Sequence, residues 1–93
     1  MIRSFKGAFA EAVFKGEFPK RFPASLVRVA RRKLEAVNAA AALEDLRVPP
    51  GNRLHGLTGD RNRQHGIRVN DQYRVCFVWT NGDAWNVELV DYH

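Results

Sequence analysis

The chain is predicted to be α+β: an N-terminal strand, two helices, then antiparallel strands forming a sheet with the helices packed on one face. Three observations predict it. Between residues 8 and 46 apolar residues recur every three or four positions, which is the helical period; beyond Pro49-Pro50-Gly51 the runs turn β-branched and aromatic; and Asn81-Gly82 stands between the last two of them as a hairpin signal. Ninety-three residues can build one core but not two, so a single domain spanning 1–93 is expected.

Ile2 to Lys6 alternates apolar and charged side chains, as a short strand does, and Phe9, Val13 and Phe14 then recur at helical spacing until Gly16 stops the helix. After Pro19 and Pro23 comes the clearest helix. Leu26, Ala30, Leu34, Val37 and Ala41 mark its apolar face, Ser25 is a candidate cap, and Arg28, Arg31, Arg32 and Glu35 line the opposite, solvated face. The run Ala39 to Ala42 interrupts the pattern before Leu43 to Leu46 resume it. Pro49-Pro50-Gly51 ends the helical half, because the prolines lack an amide donor. Strands follow at His65 to Val69, Tyr73 to Trp79 and Ala84 to Tyr92.

Strand register decides which side chains share a face, since a slip of one residue exchanges the two faces. A two-residue Asn81-Gly82 loop sets Val75 opposite Glu88 and Phe77 opposite Asn86, mixing apolar with polar. A three-residue loop, Thr80-Asn81-Gly82, pairs Phe77 with Trp85, Val75 with Val87 and Tyr73 with Leu89, and is preferred on that ground. At the other turn, Val69 pairs with Tyr73 and Ile67 with Val75. Arg68, Arg74, Cys76, Asn86, Glu88 and Tyr92 are then left on the outer face, with Arg68 across from Arg74 and Arg74 across from Glu88. Two like charges in register call for a counter-charge, and a bound phosphate supplies one; a solvated face with an Arg–Glu bridge is the plainer alternative.

Fifteen Lys and Arg against ten Asp and Glu give a net charge of +5 and a pI near 10.0. Eleven of the cations are Arg, whose forked guanidinium suits phosphate, so an anionic partner is indicated. Cys76 is the one cysteine, which excludes an intrachain disulfide and a cysteine zinc site and suits a reducing, cytoplasmic setting. No run of about 18 apolar residues is present and the N-terminus lacks a signal-peptide core, so no membrane role is expected.

Among the groups that can carry chemistry, His65 falls on the core face and reads as a buried, hydrogen-bonded structural residue. His55 lies between Leu54 and Leu57, which anchor a loop or short strand and leave it exposed. His93 follows Asp91-Tyr92, so acid, phenol and imidazole gather at a strand end. The exposed His lack metal-ligand spacing and the acids are few, so no metal and no cofactor is expected. Ser4, Ser25 and Cys76 have no recognisable base, which argues against a nucleophilic triad. Acid–base cleavage of a phosphodiester remains, needing a proton acceptor, a proton donor and a cation for the transition-state charge.

Leu54-His55-Gly56-Leu57, Gly59-Asp60-Arg61, Ile67-Arg68-Val69-Asn70, Tyr73-Arg74-Val75-Cys76-Phe77 and the closing Val90-Asp91-Tyr92-His93, with the Ile-Arg-Ser-Phe start, together resemble the HigB toxins of the RelE-like superfamily of bacterial toxin–antitoxin systems. The resemblance covers nearly the whole chain. It implies a RelE-like fold and an endoribonuclease that cuts messenger RNA at the ribosomal A site without metal, through attack of the 2′-hydroxyl on the adjacent phosphate. It also implies a helix-turn-helix, HigA-like antitoxin, with DNA reached only through that partner. Carried over residue by residue, His55, Asp91, Tyr92 and His93 form the acid–base cluster and Arg74 stabilises the phosphate. Arg68 joins them from the register argument, and Arg53, Arg61, Arg63 and Arg68 are the expected RNA contacts. Thr58 stands where some relatives have lysine, a cation that Arg53 or Arg61 would replace. Two other functions fit the same residues: a non-catalytic module that binds RNA or the ribosome, and a protein-interaction domain whose basic helix face, Arg28, Arg31 and Arg32, docks an acidic partner.

Overall fold

The computed structural model describes residues 1–61 and 63–92. Helix α1 (Ala10–Phe14) buries Ala10 and Val13, and Gly16 ends it with φ +86°. Helix α2 (Val27–Ala39) buries Val27, Ala30, Leu34 and Val37, the stripe expected from the apolar period. Its start differs from expectation, because a 3-10 turn at Ala24–Leu26 precedes it, so Ser25 lies inside that turn and Leu26 precedes the helix without a side-chain cap. The alanine run does break the helix. Ala40 is extended, and a 3-10 turn at Leu43–Arg47 follows, with the Asp45 carboxylate accepting from the amides of Ala41 and Ala42.

Four strands, β1 (His55–Gly56), β2 (Gln64–Arg68), β3 (Tyr73–Thr80) and β4 (Asp83–Asp91), form one antiparallel sheet in chain order. Its inner face carries Ile67, Val75, Phe77, Val87 and Leu89, which join Leu34, Val37, Val13 and Phe22 in one buried cluster. The α+β architecture, with helices on one face of an antiparallel sheet, is thus as predicted, while β1 adds a fourth strand to the three expected. The N-terminal strand is not continuous: Ile2 and Phe5 make isolated parallel bridges to Ala84 and Val87 on the outer edge of β4. The cause lies in β4, whose irregularity at Asn86 carries the bridge points three residues apart instead of two.

The β2–β3 register is the expected one, with Ile67 opposite Val75 and Arg68 opposite Arg74. The β3–β4 register is not. Thr80 pairs with Asp83, so Asn81-Gly82 is a two-residue turn with both residues at positive φ (+53° and +79°), the mirror-image turn that matches strand twist. An extra residue in β4 then shifts the pairing between Val78↔Trp85 and Cys76↔Glu88, with Asn86 at φ +53° absorbing it. The shift sets Val75 opposite Leu89 and keeps Val87 buried, so the bulge reconciles a tight turn with an apolar inner face. The expected pairings across this hairpin are therefore corrected: Val75 faces Leu89 instead of Val87, and Tyr73 faces Asp91 instead of Leu89. Arg74 faces Val90, Cys76 faces Glu88, and Trp85 pairs with Val78 on the outer face instead of with Phe77 in the core.

Candidate active site

Register arranges the outer face in rows. Arg68, Arg74 and Val90 form one; His55, Gly66, Cys76 and Glu88 form the next, two residues or about 7 Å along the strands; Gln64, Val78 and Trp85 form the third. Gly66 gives the middle row its shape. A Cβ there would lie 3.4 Å from Cε1 of His55, so the bare backbone lets the imidazole lie across β2.

His55 has a fixed tautomer. Its Nδ1 lies 2.8 Å from the carbonyl oxygen of Arg53, which can only accept, so Nδ1 carries the hydrogen and Nε2 is left as a proton acceptor. The segment behind it is tethered. Asn52 is fully buried, donates through Nδ2 to the carbonyls of Leu46 and Val48, and accepts from Lys33 Nζ at 2.5 Å, tying this loop to α2. Arg53 follows with φ +48°, turning the chain into β1. Burial, then the charges of Arg32 and Arg68, push the Lys33 ammonium below its ordinary pKa.

Arg74 donates through Nη1 to the carbonyls of Asn70 (2.6 Å) and Tyr73 (3.2 Å), and its Cζ sits 5.3 Å from the Tyr92 ring centroid. Among the described residues it makes no ion pair. Arg68, directly opposite, pairs with Asp71. That hydrogen bond and the Arg68 charge hold the Asp71 carboxyl below its usual pKa, with smaller contributions from Arg53 and Arg74, so three arginines act on one carboxylate. Arg61 bonds Gln64 Oε1 (3.1 Å) and pairs with Glu88 Oε1 (3.2 Å). Glu88 is confined from the other side, where a Cβ on Gly7 would come within 3.2 Å of it.

The sequence-predicted residues do not all converge. His55, Arg61, Arg68, Arg74 and Tyr92 share the outer face, with Arg53 beside Arg68 and Asp71. Asp91 is opposite Tyr73 on the other side of the strand, its carboxylate accepting from Gln72 Nε2 at 3.1 Å. Arg63 is exposed in the turn before β2, and His93 lies outside the described residues. His65 is half-buried and stacks on Phe77, but its Nδ1 is buried without a hydrogen-bond partner among the described residues, so the expected structural bond is absent. The Lys33–Asn52 tether was missed, since a helix–loop contact leaves no local pattern. Gly66 inside a strand was a signal that a side chain crosses closely.

A family model for the RelE-like toxin of the type II toxin–antitoxin system HigB matches residues 3–93. The chain belongs to this HigB-like toxin family. Membership implies an antitoxin partner. The chain is similar to Toxin HigB-1 of Vibrio cholerae, with 41% identity over 90 residues covering 96% of this chain and 95% of the relative. It is also similar to Endoribonuclease HigB of Proteus vulgaris, with 32% identity over 93 residues covering the whole of both. An uncharacterized protein of Haemophilus influenzae is 36% identical over 74 residues, 80% of this chain and 73% of the relative. Among the described residues, no helix is long and apolar enough to cross a membrane.

Proposed function

We propose that this HigB-family toxin is a cytoplasmic endoribonuclease that cuts messenger RNA on the ribosome without a metal ion, and that a helix-turn-helix, HigA-like antitoxin silences it. The observation that carries the reading is Arg74: a guanidinium placed opposite a second arginine, seated on a tyrosine ring and free of any ion pair among the described residues. Like charges in register are destabilising; Asp71 already pairs with Arg68, and a phosphate would supply the anion for Arg74. The endoribonuclease name of the Proteus relative supports the same chemistry.

RNA carries its own nucleophile, so the protein need supply only proton transfer and charge stabilisation. His55 Nε2 takes the proton of the 2′-hydroxyl, whose oxygen attacks the adjacent phosphorus. Arg74, with Arg68 beside it, stabilises the charge that builds on the phosphoryl oxygens. The bond from phosphorus to the 5′-oxygen breaks, that oxygen takes a proton from the Tyr92–His93 end of the chain, and a 2′,3′-cyclic phosphate and a 5′-hydroxyl result. Asp91 orients this terminal segment through Gln72. Arg53, Arg61 and Arg63 bind the flanking backbone, where charge supplies sequence-independent affinity.

Mapping of new RNA 5′ ends in translating extracts tests this. The protein should create ends only while ribosomes translate, and Arg74→Ala and His93→Ala should remove them. Arrest of translation without new ends would replace the nuclease with a module that acts by occupying the ribosome.

A further inference from the structure

Trp85 is 42% exposed, on the same face as His55, Arg68 and Arg74. A tryptophan offers more apolar surface than any other side chain, and this one lies between two fully buried residues, Ala84 and Val87, that complete the core without it. The bulge at Asn86 separates them: it turns Val87 inward while Trp85 stays outward beside Val78. The backbone around the ring is pinned. Ala84 donates to the Met1 carbonyl (3.0 Å) and accepts from the Arg3 amide (2.8 Å), and the Asn86 amide donates to Ser4 Oγ (2.8 Å).

We propose that Trp85 is a stacking platform for a nucleobase of the bound single strand, several nucleotides' reach from the scissile phosphate. The inference rests on the nuclease reading and deepens it by assigning a second contact. The Gln64–Val78–Trp85 row lies four residues of strand, about 13 Å, from the Arg68–Arg74 row, and the row between has a glycine, a buried cysteine and the Arg61–Glu88 pair. The surface therefore runs from Arg74 and the Arg68–Asp71 pair, past His55 and the Arg61–Glu88 pair, to an exposed ring. That sequence of groups is what binds single-stranded nucleic acid, charge tracking the backbone and an aromatic face accepting any base. Backbone held on both sides of the ring also limits the ordering cost of binding.

The test is cleavage in translating extracts over a range of toxin concentrations, comparing the parent with Trp85→Ala, Trp85→Phe and Arg74→Ala. Trp85→Ala should need about 5 to 150 times more toxin for half-maximal cutting while reaching the parent's limiting rate, Trp85→Phe should recover most of the loss, and Arg74→Ala should have a limiting rate about 10²–10³-fold lower that more toxin does not restore. Melting curves of both Trp85 variants should match the parent. A Trp85→Ala protein that cuts with the parent's concentration dependence overturns the platform and leaves the nuclease standing. So does one that cuts normally but escapes the antitoxin, which would assign the ring to that partner. If the parent itself makes no cuts, the nuclease reading fails and the platform with it.

Discussion

The two faces of the β2–β3–β4 sheet are built on different principles. On the inner face, alternation alone delivers Ile67, Val75, Phe77, Val87 and Leu89 to a dry core where any well-packed apolar set would serve. On the outer face the same alternation sets Arg68 against Arg74 and leaves Trp85 exposed, neither of which folding requires, although Cys76 on that face is buried. One face is organised by its own contacts. The other keeps Arg74 without an ion pair among the described residues, beside the Arg68–Asp71 and Arg61–Glu88 pairs, and on the proposed reading that cation is kept for a phosphate.

The largest expected effect is on the inner face. Phe77 is fully buried, between the His65 and Trp79 rings, so Phe77→Ala should cost about 3–5 kcal/mol in chemical denaturation. A loss below about 1 kcal/mol would mean the core can collapse around the gap. The counterpart on the outer face is Arg74→Ala, expected to slow cutting by about 10²–10³-fold or more, the effect of removing a preorganised charge donor. Its unfolding midpoint should barely move, because the substitution ends a like-charge confrontation as well as a cation–π contact. A variant that unfolds readily would make Arg74 a structural residue and erase the contrast.

The inner face was legible and much of the outer one was not, for physical reasons that individual residues show. Ile67 and Val75 were paired correctly because a consistent apolar period on both flanks leaves one register. The next hairpin differs from expectation in two linked ways: its loop has two residues instead of three, and Asn86 at φ +53° inserts a step partway along β4 that restores the apolar face. Asparagine tolerates the left-handed region, so Asn86 was itself the sign that the ladder is interrupted. Trp85 faces outward because the turn has two residues, and the step at Asn86 then returns Val87 to the core. The cations were legible as a set from charge and spacing, but Arg68's pairing with Asp71 and Arg61's with Glu88 depend on tertiary placement.

Asn52 joins the two faces and gives the next effect in size. Asn52→Ala strands the Lys33 ammonium and the carbonyls of Leu46 and Val48, costing about 1–3 kcal/mol for each group that water cannot reach. It should also lower cutting, because the loop that presents Arg53 and His55 loses its anchor. Stability lost with full cutting retained in the folded protein would show that His55 is set by β1 alone. Cys76 is an outer-face residue with core behaviour: burial pushes its thiol up to about 11. A raised folded pKa means that stability is present below the ordinary value of 9.0 and declines as pH rises from about 9 to 11, by up to about 2–3 kcal/mol. Denaturation across that range checks the sign, and the native thiol should resist alkylation at neutral pH until unfolding exposes it.

The smallest change is also the cleanest separation of the faces. Gly66→Ala adds one methyl group beneath His55, 3.4 Å from Cε1 and 3.5 Å from Leu57 Cδ2, at the close limit of van der Waals contact, so the imidazole is pressed and needs only a small shift. Glycine within a strand is destabilising by roughly 0.5–1 kcal/mol relative to alanine, so folding should gain a few tenths or stay level. Cutting should nevertheless fall, because a proton acceptor within hydrogen-bond reach of its target loses efficiency with small displacements. Stability held or raised while activity falls is the signature of a position kept as glycine for the site. If cutting is unchanged, Nε2 of His55 is not the atom that takes the proton, and the search for the base moves to the Tyr92 end of β4.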